Sequence, residues 1–213
     1  MSLVNAASDI RSLLDRGYPQ KSAVRFVCAH YRLDVKARYL LSRTVLARKV
    51  AERRLAKFLP CEIIEGKSIV IDGYNIIIGM ESILEKKAYL CDDGVIRDIK
   101  GAFRGFKGSS NTENAIGSIL GFLKEKKPDN VVFLLDSQIS NSGMLARRLR
   151  EMLEDAGLKG DARTSNHVDH DLKICREIVA SSDGVVIDEA KNVVNFLACV
   201  VQRFRDMEVH PVL

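Results

Sequence analysis

The sequence predicts an α/β protein: a mostly parallel sheet covered by helices on both faces, preceded by a small all-α N-terminal domain. Three observations carry this prediction. Short apolar runs at 68–72, 131–136 and 184–188 each stop at an acid, as buried parallel strands do at their carboxyl ends. Helical patterns at 112–126, 142–156, 168–180 and 189–205 alternate with them, and another short strand is expected near 161–164. Residues 1–59, by contrast, carry helix patterns alone.

The elements follow in order. Ala6 to Arg16 is short and amphipathic, and Gly17 ends it. Pro19 opens a second helix to about His30, with Ala23, Val24, Phe26 and Val27 on its apolar side. Asp34 is placed to cap a long third helix that Pro60 closes, with Val35, Tyr39, Leu41, Val45, Leu46, Val50 and Leu55 near helical spacing. The domains are therefore 1–60 and 61–213. Ser110 and Glu113 fit a capping box, and Gly157 stops the helix bearing Leu145, Leu149, Met152 and Leu153. Residues 79–110 are the least regular part, a hairpin or loop near the active edge.

Composition narrows the function classes. With 213 residues, 46% hydrophobic and 29% charged, the chain can bury a core and stay soluble. No apolar run approaches the roughly 20 residues of a membrane span, and no basic-then-apolar leader opens the chain, so a cytoplasmic location is expected. The five cysteines are scattered and form no CxxC pair, which reads as reduced, mostly buried thiols. Residues 1–60 hold 13 Lys and Arg against four acids, although the whole chain is only +5. A basic head on a mildly acidic body suits a polyanionic partner; the alternative is a helical face packed against that acidic body.

The chemistry lies in the acids. Asp72, Asp136 and Asp188 each end an apolar run, and Asp169 and Asp171 open a helix. In a parallel sheet all these positions fall on one edge. Crowded carboxylates repel unless divalent cations neutralise them, and Mg²⁺ or Mn²⁺ favours such hard oxygen ligands. Two such ions activate a water and stabilise the leaving oxygen in phosphodiester cleavage. Each acid has a local alternative: Asp136 can begin a turn, Asp188 can cap a helix, and Asp169 can favour its helix N-terminus or pair with Lys173. His167 and His170 lack a third ligand at a zinc spacing. Ser142 in the segment 140–143, before a helix with Arg147, Arg148 and Arg150, could grip phosphate. Arg97, Lys100, Arg104 and Lys107 interleave with Phe103 and Phe106, and could equally be solvated charge.

The segment Val70-Ile-Asp-Gly-Tyr-Asn-Ile-Ile77 resembles the opening motif of the NYN branch of PIN-like nucleases. The later acids fall where that family's pattern puts them, over about residues 67–201. The resemblance implies a Rossmann-like sheet and metal-dependent phosphodiester hydrolysis, usually of RNA. It makes Asp72, Asp136, Asp169 and Asp188 the catalytic metal ligands, with Asn75 and Asp171 in support. Asp169 is preferred to Asp171 as nearer the helix N-terminus, and Asp188 to Glu189. The segment 93–101 is similar to the region after the first motif in flap-endonuclease relatives, which makes Glu113 an additional supporting acid. The head-plus-body arrangement resembles an uncharacterised archaeal family with no assigned reaction.

The expected function is a Mg²⁺- or Mn²⁺-dependent nuclease acting on RNA before DNA. Arg104, Lys107, Ser142, Arg147 and Arg148 are expected to meet the nucleic acid. The alternatives are a non-catalytic nucleic-acid-binding protein and a helix-turn-helix regulator using Arg43, Arg48 and Arg54. The last of these lacks the glycine turn of that motif between its second and third helices. A haloacid-dehalogenase phosphatase is disfavoured, because Tyr74 stands where those enzymes carry a second Asp. A homo-oligomer is left open and no membrane partner is implied.

Overall fold

The computed structural model describes residues 2–98, 110–204 and 207–211. Four helices come first: α1 (Ser2–Asp15), α2 (Gln20–His30), α3 (Val35–Thr44) and α4 (Arg48–Lys57). The body then runs β1 (Phe58–Leu59), β2 (Ser68–Asp72), α5 (Gly73–Leu84), β3 (Ala88–Leu90), β4 (Ile96–Asp98), α6 (Ser110–Lys126) and β5 (Asn130–Asp136). It continues with α7 (Ser142–Asp155), β6 (Gly160–Ser165), α8 (Val168–Ile174), β7 (Ile178–Ala180) and α9 (Gly184–Glu189). Last come β8 (Val193–Val194), α10 (Phe196–Arg203) and β9 (His210–Pro211).

The main sheet has six parallel strands in the order β1-β8-β7-β2-β5-β6. From β2 the chain steps outward through β5 to β6, then returns to lay β7 on the other side of β2. That reversal opens a crevice at the carboxyl ends of β2 and β7, where open α/β sheets bind ligands. A smaller sheet, β4-β3-β9, covers part of the body. The protein is thus α/β with a parallel sheet flanked by helices and an N-terminal helical region. No helix among the described residues is long and apolar enough to cross a membrane.

Both sheet faces are buried, which is why its strands read as continuous apolar runs. Ile69, Ile71, Phe133 and Leu135 join a core with α5, α6, α7 and α10. Val70, Leu134, Val179 and Val193 face the other way, against Val168 and Leu172 of α8 and Val186 and Ile187 of α9. Each such Leu, Ile or Val contributes about 1.5–3 kcal/mol by leaving water. Side chains alternate along a strand, so Asp72, Asp136 and Ser181 continue the parity of Val70, Leu134 and Val179. Their parity assigns them to the side on which α8 and α9 begin.

Five expectations are corrected. The long third helix is two helices, broken at 45–47, where Asp92 accepts from the Leu46 amide and Asp15 from the Arg48 amide. Residues 184–188 are not a strand but lie in α9, because Asp183 accepts from the amides of Val185 and Val186 and starts a helix. Residues 168–180 are α8 followed by β7, and the last predicted helix is confined to α10. Finally, Cys61 and Cys199 form a disulfide across 138 residues, which ties the start of the body to α10. Closing so long a loop restricts the unfolded chain, an effect on the order of 2–5 kcal/mol.

Candidate active site

Asp72 sits where the parallel register leads it. Ile71 pairs with Ala180, so the next residues, Asp72 and Ser181, emerge side by side at the crevice. Ser181 Oγ donates to Asp72 Oδ2 at 2.6 Å, and Asn75 Nδ2 donates to the same oxygen at 2.6 Å. Asp72 is 4% exposed. Burial pushes its carboxyl up to about 6; the bonds from Ser181 and Asn75 oppose this, and the negative charge of Asp183 adds to it. Gly73 lets α5 start at once, since a Cβ there would lie 2.9 Å from the Leu134 carbonyl oxygen and 2.5 Å from a Leu135 methyl.

Three further acids belong to other elements at this end of the sheet, and one of them, Asp183, acts on Asp72 directly. Asp183 caps α9, and its amide is tied to Ser181 Oγ at 3.1 Å. Asp169, in the first turn of α8, has its carboxyl raised by burial and by the charges of Asp183 and Asp136, with Lys173 opposing. Asp136 accepts from the Gln138 amide at 2.8 Å in a tight turn after β5. Its charge, after burial, also helps push the Tyr74 phenol up to about 12. Asp183 thus acts on both Asp72 and Asp169, and Asp136 acts on Asp169, which links acids of four elements pair by pair. Among the described residues, no group of three or more His, Cys, Asp or Glu side chains stands close enough together to hold a metal ion. Unneutralised carboxylates repel, and here hydrogen bonds from Ser181, Asn75 and the α9 amides hold two of them in place. Asp72 and Asp169, whose carboxyls both hold a proton more tightly than usual, offer hard oxygens of the kind a small divalent cation prefers.

Several predicted site residues lie elsewhere. Asp188 is turned away onto the helical head: Arg54 binds it through two nitrogens at 3.0 and 2.8 Å, and Arg53 at 3.0 Å. The Arg54 bonds, assisted by Arg53 against partial burial, hold its carboxyl down at about 2. Asp171 accepts from Ser165 Oγ at 2.5 Å and secures the turn between β6 and α8. Glu113 and Arg148 bind one another at 2.8 and 2.7 Å, so neither stands alone, and Arg147 pairs with Glu151. Ser142 is buried at the start of α7, behind Asn141 in the left-handed region (φ 66°). Arg104 and Lys107 lie outside the described residues.

The basic head is partly neutralised from within. Arg11 binds Asp92, Arg43 binds Asp98, and Arg54 bridges Asp188 and Asp93. Arg54 is 9% exposed, and its guanidinium lies beside Gly184, where an added Cβ would meet it at 2.5 Å. Asp93, fully buried, also accepts both terminal nitrogens of Arg97 at 2.8 Å. Arg97 Nε then donates to the Ser182 carbonyl at 3.0 Å, and Arg54 Nη2 to the Gly184 carbonyl at 3.1 Å. These two arginines therefore clamp the turn that presents Ser181 and Asp183. Arg43 and Arg54, predicted to meet nucleic acid, are occupied in holding the head to the body; Arg48 alone of the three has an exposed side chain.

Residues 61–199 match the family described as "Domain of unknown function (DUF5616)". The chain belongs to this family. Its head, residues 2–57, matches "Protein of unknown function (DUF434)". Over 205 residues it is 33% identical to "Uncharacterized protein MJ0935" of Methanocaldococcus jannaschii, covering 95% of this chain and 98% of that relative. No solved structure matches the chain.

Two residues of this candidate site, Ser181 and Asp183, escape a reading of the sequence that takes 184–188 as the strand. The usable signal was the triplet Ile178-Val-Ala180 running into Ser-Ser-Asp-Gly, a short buried strand followed by a helix cap. The same rule that finds Asp72, an acid just beyond a strand, then finds Asp183.

Proposed function

We propose that this DUF5616 protein hydrolyses phosphodiester bonds of nucleic acid, RNA before DNA, with Mg²⁺ or Mn²⁺ held among Asp72, Asp136, Asp169 and Asp183. The observation that carries the reading is the placement of Asp72 and Asp136 at the carboxyl ends of neighbouring parallel strands, with Asp183 acting on both Asp72 and Asp169 beside the switch point. The similarity of Val70–Ile77 to the NYN motif of PIN-like nucleases supports it. A divalent cation there supplies Lewis-acid activation of water and neutralises the departing oxygen. The chain's own residues do the rest. Ser181 and Asn75 fix one oxygen of Asp72. Since Asp72 holds its proton up to about pH 6, protons compete with the cation below that pH.

The test is cleavage of single-stranded and duplex RNA and DNA in Mn²⁺. Asp72→Asn and Asp183→Asn are each expected to lower the rate by at least about a hundredfold. Asp188→Asn, assayed where it remains folded, is expected to keep activity. A wild type that cuts none of these substrates, or an Asp183→Asn protein as active as wild type, overturns the reading.

A further inference from the structure

The head carries a second concavity, separate from the acid cluster. A groove of about 530 Å³ runs between α2 and α3. Its apolar floor is the buried Val24, its rim is Lys21, Arg25, Arg38 and the exposed Val35, and the partly buried Tyr39 ring forms one wall. None of the residues lining it is acidic. Among the described residues, no ion pair involves Lys21, Arg25 or Arg38, although Arg11, Arg43, Arg53 and Arg54 of the same head are all paired with acids of the body. Three of the head cations that docking leaves over thus share this groove, while others, among them Arg16, Lys36 and Lys49, lie outside it. Arg43 stacks on Tyr39, its guanidinium 5.7 Å from the ring centroid, and donates to the Tyr39 hydroxyl at 3.2 Å, which steadies the ring. Gln20 closes one end by donating to the carbonyls of Ser42 and Val45 at 3.0 and 3.2 Å.

From this we infer that the α2–α3 groove binds a segment of single-stranded nucleic acid, with phosphates along Lys21, Arg25 and Arg38 and a base against Tyr39. Cations track a backbone while an aromatic face accepts any base, a combination characteristic of single-strand binding. A duplex does not suit it, because duplex readers insert a protruding element into a DNA groove, whereas this surface is concave. The inference rests on the nucleic-acid reading of the acid cluster for its choice of ligand, but the binding itself requires neither metal nor carboxylates.

The test is fluorescence anisotropy of labelled oligouridylate and oligothymidylate of about twenty nucleotides, with full-length protein in EDTA. The variant Lys21→Glu/Arg25→Glu/Arg38→Glu is expected to bind at least about tenfold more weakly and with a shallower salt dependence. A control with the same charge change outside the groove, Arg16→Glu/Lys49→Glu/Lys124→Glu, should stay within about threefold of wild type. On the unmodified protein, the oligonucleotide should shield Lys21 from acetylation while Lys49 stays reactive, a readout that does not depend on the variant folding. Equal weakening by both triple variants, equal reactivity of the two lysines, tighter binding of a duplex, or full displacement by millimolar uridine monophosphate overturns the inference. Because EDTA removes the cation, binding without cleavage would leave this inference standing while the hydrolase reading fails in its own assay.

Discussion

Asp72→Asn is expected to make the metal-free protein more stable at neutral pH, not less. The carboxyl's pKa lies near 6 in the folded chain, above its ordinary value of 3.8. The fold thus favours the protonated form. Its favourable contribution is fully present below about pH 4 and is lost as pH rises through 6. At pH 7.5 the ionised group costs on the order of 3 kcal/mol. An asparagine keeps an oxygen for the Ser181 and Asn75 donors and removes the charge. Thermal unfolding in EDTA should therefore show a gain of several degrees at pH 7.5, shrinking towards zero below pH 4. Excess Mn²⁺ should raise the melting temperature of the wild type and leave the variant almost unchanged. A variant that melts lower than wild type at pH 7.5 would show that Asp72 serves the fold, not a ligand.

The largest loss is expected from Asp93→Ala. Its carboxylate is fully buried and accepts from Arg54 at 2.8 Å, from Arg97 at 2.8 Å twice, and from the Val95 amide at 3.3 Å. Burial pushes the group up, but Arg97 and Arg54 outweigh it and hold it below its ordinary value. Removing the anion leaves two buried guanidinium groups sharing only Asp188 and backbone carbonyls, a cost of about 3–5 kcal/mol. In a chain of this size that lowers the melting temperature by on the order of 10 °C. The same change frees the 182–184 turn, so affinity for Mn²⁺ should fall as well, although no acid of the cluster has been touched. Urea titration measures the first effect and metal titration the second. A loss under about 1 kcal/mol would mean that solvent reaches the network and that the head is not fastened through it.

The parts of this protein that local physics governs were legible in the chain. Ile69-Val-Ile-Asp72 has no helical alternative of comparable quality, and its β strand and the adjoining glycine turn follow directly. The N-terminal helices were legible as helices but not in number. The break at 45–47 is set by Asp92 and Asp15, which are distant in sequence and invisible to a helical pattern. Residues 184–188 misled for the opposite reason: Val185, Val186 and Ile187 are β-branched, yet the Asp183 cap and packing against α8 hold them helical. The disulfide between Cys61 and Cys199 and the pairing of Arg54 with Asp188 are likewise products of tertiary proximity. Part of the charge asymmetry that suggested a polyanion is spent between head and body, through Arg11, Arg43, Arg53 and Arg54; three of the cations left over, Lys21, Arg25 and Arg38, line the α2–α3 groove.

The most direct measurement is a crystal structure of the protein soaked in Mn²⁺, with the ion located by its anomalous signal. The account predicts manganese bound by Asp72 and by at least two of Asp136, Asp169 and Asp183, with Asp188 still held by Arg54. Manganese absent from this cluster at millimolar concentration, or bound instead through Asp188, would contradict it.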